Sequence, residues 1–216
     1  PEPRQKNVNG KKYLRRTEQG EAQEPITGPL QALLPLELHR VRCQKDSSLW
    51  NELIERYHYL GYKPLPGAQI RYLVYASSRC LCAIGFSAAA WKVQPRDAWI
   101  GWSSESRKQN LHRVVNNSRF LILPWVRCKL LASKILSLCA QRLPDEWQDI
   151  YGYRPVLLET FVEKDRFAGT CYKAANWSCV GSTQGRGKLD RLHEHKLPVK
   201  DIYLYPLDKR FRRFLI

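Results

Sequence analysis

VLLETFVEKDRFAGTCYKAANWSCVGSTQGRGK, residues 156–188, is the densest run of chemistry in the 216-residue chain. Residues 156–162 are apolar and β-prone and carry one carboxylate, Glu159. A polar turn with Asp165 and Arg166 follows and ends at Gly169. Residues 170–176 read as a short helix, and Trp177 leads into a returning strand at Cys179-Val180-Gly181. The stretch closes on Gln184-Gly185-Arg186-Gly187-Lys188, a basic glycine-rich loop. Strand, helix, strand and loop in this order predict the last strand–helix–strand unit of a sheet flanked by helices, with the basic loop at its rim.

Working outward, residues 36–41 alternate apolar and polar, as a half-buried strand does. Asp46-Ser47-Ser48 reads as the cap of a helix from Leu49, with Gly61 as its stop. Residues 70–75 and 80–86 predict a hairpin over Ala76-Ser77-Ser78-Arg79. Residues 97–102 read as a strand or a loop, and Ser103-Ser104-Glu105 as the cap of a basic helix to about 115. Residues 120–123 predict a short apolar strand. The longest helix is expected over 126–142, with a second short one from Pro144 to Ile150. A last strand covers 201–207. The sum is an α/β (α+β) domain, a mixed central sheet flanked by helices, over 29–207. Residues 1–28 read as a flexible basic and polar arm, and 208–216 as a basic tail.

A formal charge of +16 points to a polyanionic partner, with nucleic acid first and DNA ahead of RNA. The seven cysteines show no CxxC pair and no zinc spacing, so they read as free thiols in a reducing, cytoplasmic setting. No apolar run reaches membrane-spanning length, and the polar start does not read as a secretory leader. With no Met, the chain reads as a processed or trimmed form of a longer protein.

Two resemblances enter on these residues. The order hairpin, strand, long helix, strand, short helix, strand over 120–142 and 156–181 is similar to the GNAT acetyltransferase fold. That fold's (Q/R)xxGx(G/A) loop, which would hold a cofactor pyrophosphate at a helix N-terminus, falls on Arg127-Cys128-Lys129-Leu130-Leu131-Ala132. Leu130 stands where glycine is wanted, so the resemblance argues for the fold and against acetyl-CoA binding. The second resemblance spans about 30–207. Tyr57-His58-Tyr59-Leu60-Gly61, Ile100-Gly101-Trp102, the run from Asn116 to Val126, Leu131-Ala132-Ser133 and Glu159-Thr160-Phe161-Val162 carry it. So do the run from Gly169 to Trp177 and Gly185-Arg186-Gly187. These resemble the DruA-like family of Druantia anti-phage systems, with relatives beside transposase-like proteins. The resemblance implies a part in phage defence or DNA mobility, with other defence or transposition subunits as partners, and it brings no catalytic residues with it.

The residues themselves offer candidates. Glu159 with Asp165 would bind Mg²⁺ or act as a base on a phosphodiester, or Glu159 pairs with an arginine such as Arg119 or Arg166. His58, between Tyr57 and Tyr59, is either an acid or base or part of a packed helix end. Arg119, Arg166, Lys173, Asn176, Trp177, Arg186 and Lys188 are the expected nucleic-acid contacts, with Trp177 as base stacker or core residue. His193 and His195 lack further ligands in the sequence. An acyltransferase, and an RNA-binding or scaffolding subunit without catalysis, are the other readings.

Overall fold

A computed structural model describes residues 16–65, 67–185 and 197–216. Its elements in chain order begin with β1 (Ile26–Thr27), β2 (Leu36–Arg40), α1 (Gln44–Tyr57), β3 (Gln69–Ala76) and β4 (Arg79–Ala88). Next come α2 (Gln94–Ile100), α3 (Ser104–Asn110), β5 (Val114–Ile122), β6 (Val126–Arg127) and α4 (Leu131–Tyr151). The chain ends with β7 (Leu157–Glu163), α5 (Thr170–Ala174), β8 (Ser178–Ser182), β9 (Lys200–Pro206) and α6 (Arg212–Leu215). Seven strands form one sheet in the order β2-β3-β4-β5-β7-β9-β8, and β1 pairs with β6 beside it. Every neighbour pair in the large sheet is antiparallel except β5 with β7.

Adjacent residues of β3 show why helices cover both faces. Successive side chains of a strand point to opposite sides. Arg71 donates to Asn51 Oδ1 (2.9 Å) and Ser47 Oγ (3.1 Å) of α1. Its neighbour Tyr72 donates instead to Glu146 Oε2 (2.9 Å) of α4. The α1 side is anchored by Trp50, whose indole N–H donates to the Ile84 carbonyl at 3.2 Å. Gly85 leaves the space that this ring fills, since a Cβ there would lie 2.8 Å from Trp50. A second core, with Ile100, Val114, Leu157, Ile202 and Leu215, lies under α2 and α6.

The one parallel pair of the seven-stranded sheet, β5 with β7, governs the site. It holds only over Val114–Leu157, Val115–Leu158 and Asn116–Glu159. Immediately beyond, the β4–β5 register shifts between Gly85 and Phe86, which leaves Ser118 as an extra residue on β5. A bulge bends its strand and raises the local twist. From there β5 and β7 run on unpaired with each other, to Ile122 and Glu163, and a cleft lies between them.

Several expectations are corrected. Residues 97–102 belong mainly to a helix, α2, started by Pro95 in its first turn and stopped by Gly101 in the left-handed region. The helix of 126–142 and the short helix after it are one 21-residue helix, α4, with Pro144 inside it. It begins at Leu131, because Val126 and Arg127 pair with β1. Helix α1 starts before the predicted cap, at Gln44, and its N-cap is Cys43, whose Sγ accepts from the Asp46 N–H. The described part of the N-terminal arm is docked: Thr17 donates to Glu52 through its N–H (3.0 Å) and its hydroxyl (2.7 Å). The basic tail also packs, with Phe211 and Leu215 buried. All seven cysteines are free, and Cys80, Cys82 and Cys139 are buried. No helix among the described residues is long and apolar enough to cross a membrane.

Candidate functional site

Where β5 and β7 part, a polar network closes the floor of the cleft. Asn117 Nδ2 donates to the Gly85 carbonyl at 3.1 Å. Tyr172 Oη, from α5, donates to Asn117 Oδ1 at 2.8 Å, and Thr160 Oγ1 donates to the Asn117 carbonyl at 3.0 Å. Each strand thus contributes the first residue beyond the last parallel pair, and α5 locks the two together. Gly169 brings α5 this close: it adopts φ 65°, and a Cβ would meet the Tyr203 hydroxyl at 2.4 Å.

The cleft has two chambers. The first, about 420 Å³, is walled by aromatic rings that include Tyr59, Phe120, Phe167 and Tyr172, with Asn117 and Thr160 at its floor. The second, about 330 Å³, is lined by Asn116, Arg119, Thr183, Gly185 and Lys200 among others. Leu60, Asn117, Ser118 and Phe161 line both. No carboxylate stands among the described lining residues of either chamber. Arg119 is half-buried and donates to the Ser118 carbonyl at 2.7 Å. Its Nε, and the Asn116 Oδ1, are buried without a hydrogen-bond partner among the described residues. Burial pulls the Arg119 pKa below its usual value, with Tyr59 opposing.

The Tyr57-His58-Tyr59 run forms one lip. His58 is stacked on Tyr59, with ring centroids 4.8 Å apart. Arg166 lies over the other part of this lip, 5.0 Å from the Tyr59 centroid. Burial first, and the Arg119 charge second, lower the His58 pKa to about 4. The ring is therefore neutral at pH 7, and its Nδ1 accepts the Leu60 N–H at 3.2 Å. That bond assigns the proton to Nε2, which makes the free ring nitrogen a donor and not a base.

The structure separates the other expected residues. Glu159 lies in the middle of the sheet, fully buried. Its carboxylate accepts from Arg96 Nη1 (2.8 Å) and the Ala90 N–H (2.9 Å). Burial raises its pKa, and Arg96 opposes that rise. Asp97 and then Arg107, both half-buried, carry the chain of charges outward. The metal and base roles considered for Glu159 are thus corrected: its oxygens are taken by an internal ion pair, with Arg96 and not Arg119 or Arg166. Asp165 is exposed in the turn after β7. No group of three His, Cys, Asp or Glu side chains among the described residues is placed to hold a metal ion. Trp177 is buried against Tyr172 and Tyr205, with centroids at 5.1 and 5.7 Å, which corrects its reading as a stacking surface. Lys173 and Asn176 are exposed on and after α5. Arg186, Lys188, His193 and His195 lie outside the described residues. The segment that carries them leaves from Gly185 and returns at Leu197, whose N–H donates to the Gly185 carbonyl at 2.9 Å. Both ends line the second chamber.

Leu130 bears on the expected cofactor loop. It takes φ 67°, the left-handed conformation that a glycine adopts freely, as the N-cap of α4. Leu130 is 69% exposed, so its side chain stands in the open at the start of α4, where an approaching phosphate would meet it. Ser133 Oγ donates to the Leu130 carbonyl at 3.0 Å and supports this turn.

Fold and site together define a basic α/β domain with a ligand-sized cleft at the one parallel junction of its sheet. A family model described as Druantia protein DruA matches residues 1–195, and the chain belongs to that family. Comparison with curated proteins gave no match. Among solved structures, the chain is similar to the ribosomal-protein-S18-alanine N-acetyltransferase from Escherichia coli. That match has 8% identity and a TM-score of 0.48, over 80% of this chain and 94% of that one. It is also similar to a Drosophila melanogaster polyamine N-acetyltransferase, at 9% identity and TM-score 0.48, over 79% and 100% of the two chains. An aminoglycoside acetyltransferase in complex with coenzyme A and kanamycin matches at 13% identity and TM-score 0.47, over 82% and 96%. These likenesses concern the fold.

Proposed function

We propose that the protein is a nucleic-acid-binding component of an anti-phage defence system, DNA foremost, and that the β5–β7 cleft engages the strand. One observation carries the reading: the half-buried Arg119 faces a cleft whose described lining contains no carboxylate. A cation with no counter-charge among the described residues, in a partly desolvated wall, favours an anion from outside. The net charge of +16 supports the same reading, as do Lys200 on the second chamber and Arg166 on the lip. Arg186 and Lys188, which follow Gly185 in the chain, and Lys173 and Asn176 extend the proposed contact surface. Glu159 and Trp177 drop out of it, and strand cleavage through Glu159 and Asp165 with Mg²⁺ is not part of the proposal.

Binding of labelled oligonucleotides at several salt concentrations tests the reading. Each phosphate contact removed from a single strand lowers the slope of log K against log salt by about 0.7. Arg119→Gln and Lys200→Gln are each expected to lower affinity and slope together. Unchanged affinity and slope in both would remove the cleft from the account.

One observation favours a second reading, acyl transfer from a coenzyme A thioester. The α4 N-terminus begins on a left-handed residue, Leu130, and Ala132 of its first turn lines the first chamber. Helix N-termini of this kind receive phosphates. Titration calorimetry with acetyl-CoA decides it: saturable heat supports the reading, and no heat at millimolar ligand ends it.

A further inference from the structure

The two chambers differ in chemistry, and one ligand class needs both. The first is aromatic, over a polar floor of Asn117 and Thr160 whose donors are already taken within the fold. It suits a flat, apolar ring with polar edges. Its volume of about 420 Å³ lies in the range of small-molecule sites, roughly 300–1,000 Å³. The second chamber is cationic and holds two buried polar atoms without partners among the described residues, the Arg119 Nε donor and the Asn116 Oδ1 acceptor. Both of those atoms are sealed from the chamber, so the groups an anion in it would meet are the rest of the half-buried Arg119 side chain and Lys200, which line its wall. At the lip, neutral His58 accepts the Leu60 N–H at Nδ1 and keeps Nε2–H as a donor.

A ring with polar edges joined to an anion is a nucleotide. We infer that the β5–β7 cleft accepts one unstacked nucleotide of a nucleic-acid strand, with its base in the aromatic chamber and its phosphate at Arg119. The inference rests on the nucleic-acid reading above and adds what the cleft does with the strand. A base paired and stacked in a duplex does not reach a floor set between two β-strands, so the nucleotide must be extruded or already single-stranded. Single strands and mismatched positions should therefore bind better than perfect duplex, because the unstacking is already done. Aromatic stacking is tolerant of base identity, so the preference among bases should be weak.

The test uses the whole chain and a single-stranded oligonucleotide with a central 2-aminopurine and a terminal dye. Dye anisotropy reports binding, and 2-aminopurine emission reports the stacking state of the base. Binding by the wild type should change the 2-aminopurine emission. Ala168→Trp, at an exposed position on the wall of the first chamber, should fill that chamber. It should remove the emission change and weaken binding about tenfold, the effect of losing about one stacked base. Arg119→Gln should weaken binding and lower the salt slope while part of the emission change survives. Binding by anisotropy with unaltered emission overturns the inference and leaves the nucleic-acid reading standing. The same emission change in Ala168→Trp as in wild type overturns it too. No anisotropy change with any oligonucleotide overturns the nucleic-acid reading, and the inference with it.

Discussion

Replacing Glu159 by Gln should unfold the protein more easily without touching its ligand chemistry. The carboxylate is fully buried and accepts two hydrogen bonds, from Arg96 Nη1 at 2.8 Å and the Ala90 N–H at 2.9 Å. Gln keeps the shape but has one acceptor oxygen. When that oxygen meets Arg96, the amide NH₂ meets the Ala90 N–H, and two donors face each other. An unsatisfied buried donor costs about 1–3 kcal/mol. Arg96 also loses a counter-charge, although Asp97 still holds it at 2.8 Å. Breaking a buried ion pair from one side costs about 3–5 kcal/mol. The retained Asp97 places the expected loss at the lower end, about 3 kcal/mol. For a chain of this size each kcal/mol moves Tm by roughly 2–4 °C, so Tm should fall by roughly 6–12 °C. Urea unfolding and calorimetry measure this. The double variant Arg96→Met with Glu159→Leu should lose much less than the sum of its singles, because neither charge is left alone. The reasoning is refuted if Glu159→Gln changes Tm by less than about 2 °C. A variant that keeps its stability and loses an activity on DNA would return Glu159 to the reacting groups.

Three further outcomes are expected. His58 keeps a pKa of about 4 in the fold against 6.5 when free, so the unfolded chain takes up a proton that the folded one refuses. Stability from this group is complete above pH 6.5 and is lost as pH falls towards 4; the full shift would be about 3 kcal/mol, and the ring's partial exposure trims it to roughly 2. The stability difference between wild type and His58→Phe should accordingly depend on pH between 7 and 5, and a constant difference would deny the shift. Trp177→Ala should cost about 3–5 kcal/mol as a core truncation, while refolded protein keeps the wild-type salt slope for oligonucleotide binding. Leu130→Gly should stabilise by about 0.5–1 kcal/mol, since it removes a left-handed residue with a Cβ and gives up little buried surface; a lower Tm would show that the Leu130 side chain has a packing role.

How much of this was legible in the sequence depended on how far apart the partners lie. The strand, short helix and returning strand of residues 156–182 follow from local pattern, and they stand as β7, α5 and β8. The hairpin of β3 and β4 follows for the same reason. Pro144 misled, because proline normally ends a helix, and here α4 runs through it to Gly152. Phe211 and Leu215 were hidden in a basic composition, and only the second core shows what they pack against. The place of β9 between β7 and β8 has no local signal at all, since β8 comes first in the chain. Glu159 was visible as an unusual carboxylate, but Arg96 stands 63 residues away, just ahead of the segment 97–102 that reads as strand or loop. The aromatic run at His58, with Arg119 and Arg166, was readable as residue types. Their meeting across the cleft depends on the bulge at Ser118, which no periodicity announces.

The central claim is that the strand enters between β5 and β7, and photo-crosslinking addresses it most directly. A single-stranded oligonucleotide with one 5-iodouracil, irradiated on the intact protein and mapped by peptide mass, reports which side chains touch the base. Crosslinks on Tyr59, Phe120 or Tyr172, lost in Ala168→Trp, are the predicted result. Crosslinks confined to the exposed C-terminal residues or to Trp91, with none on the cleft walls, would contradict the account.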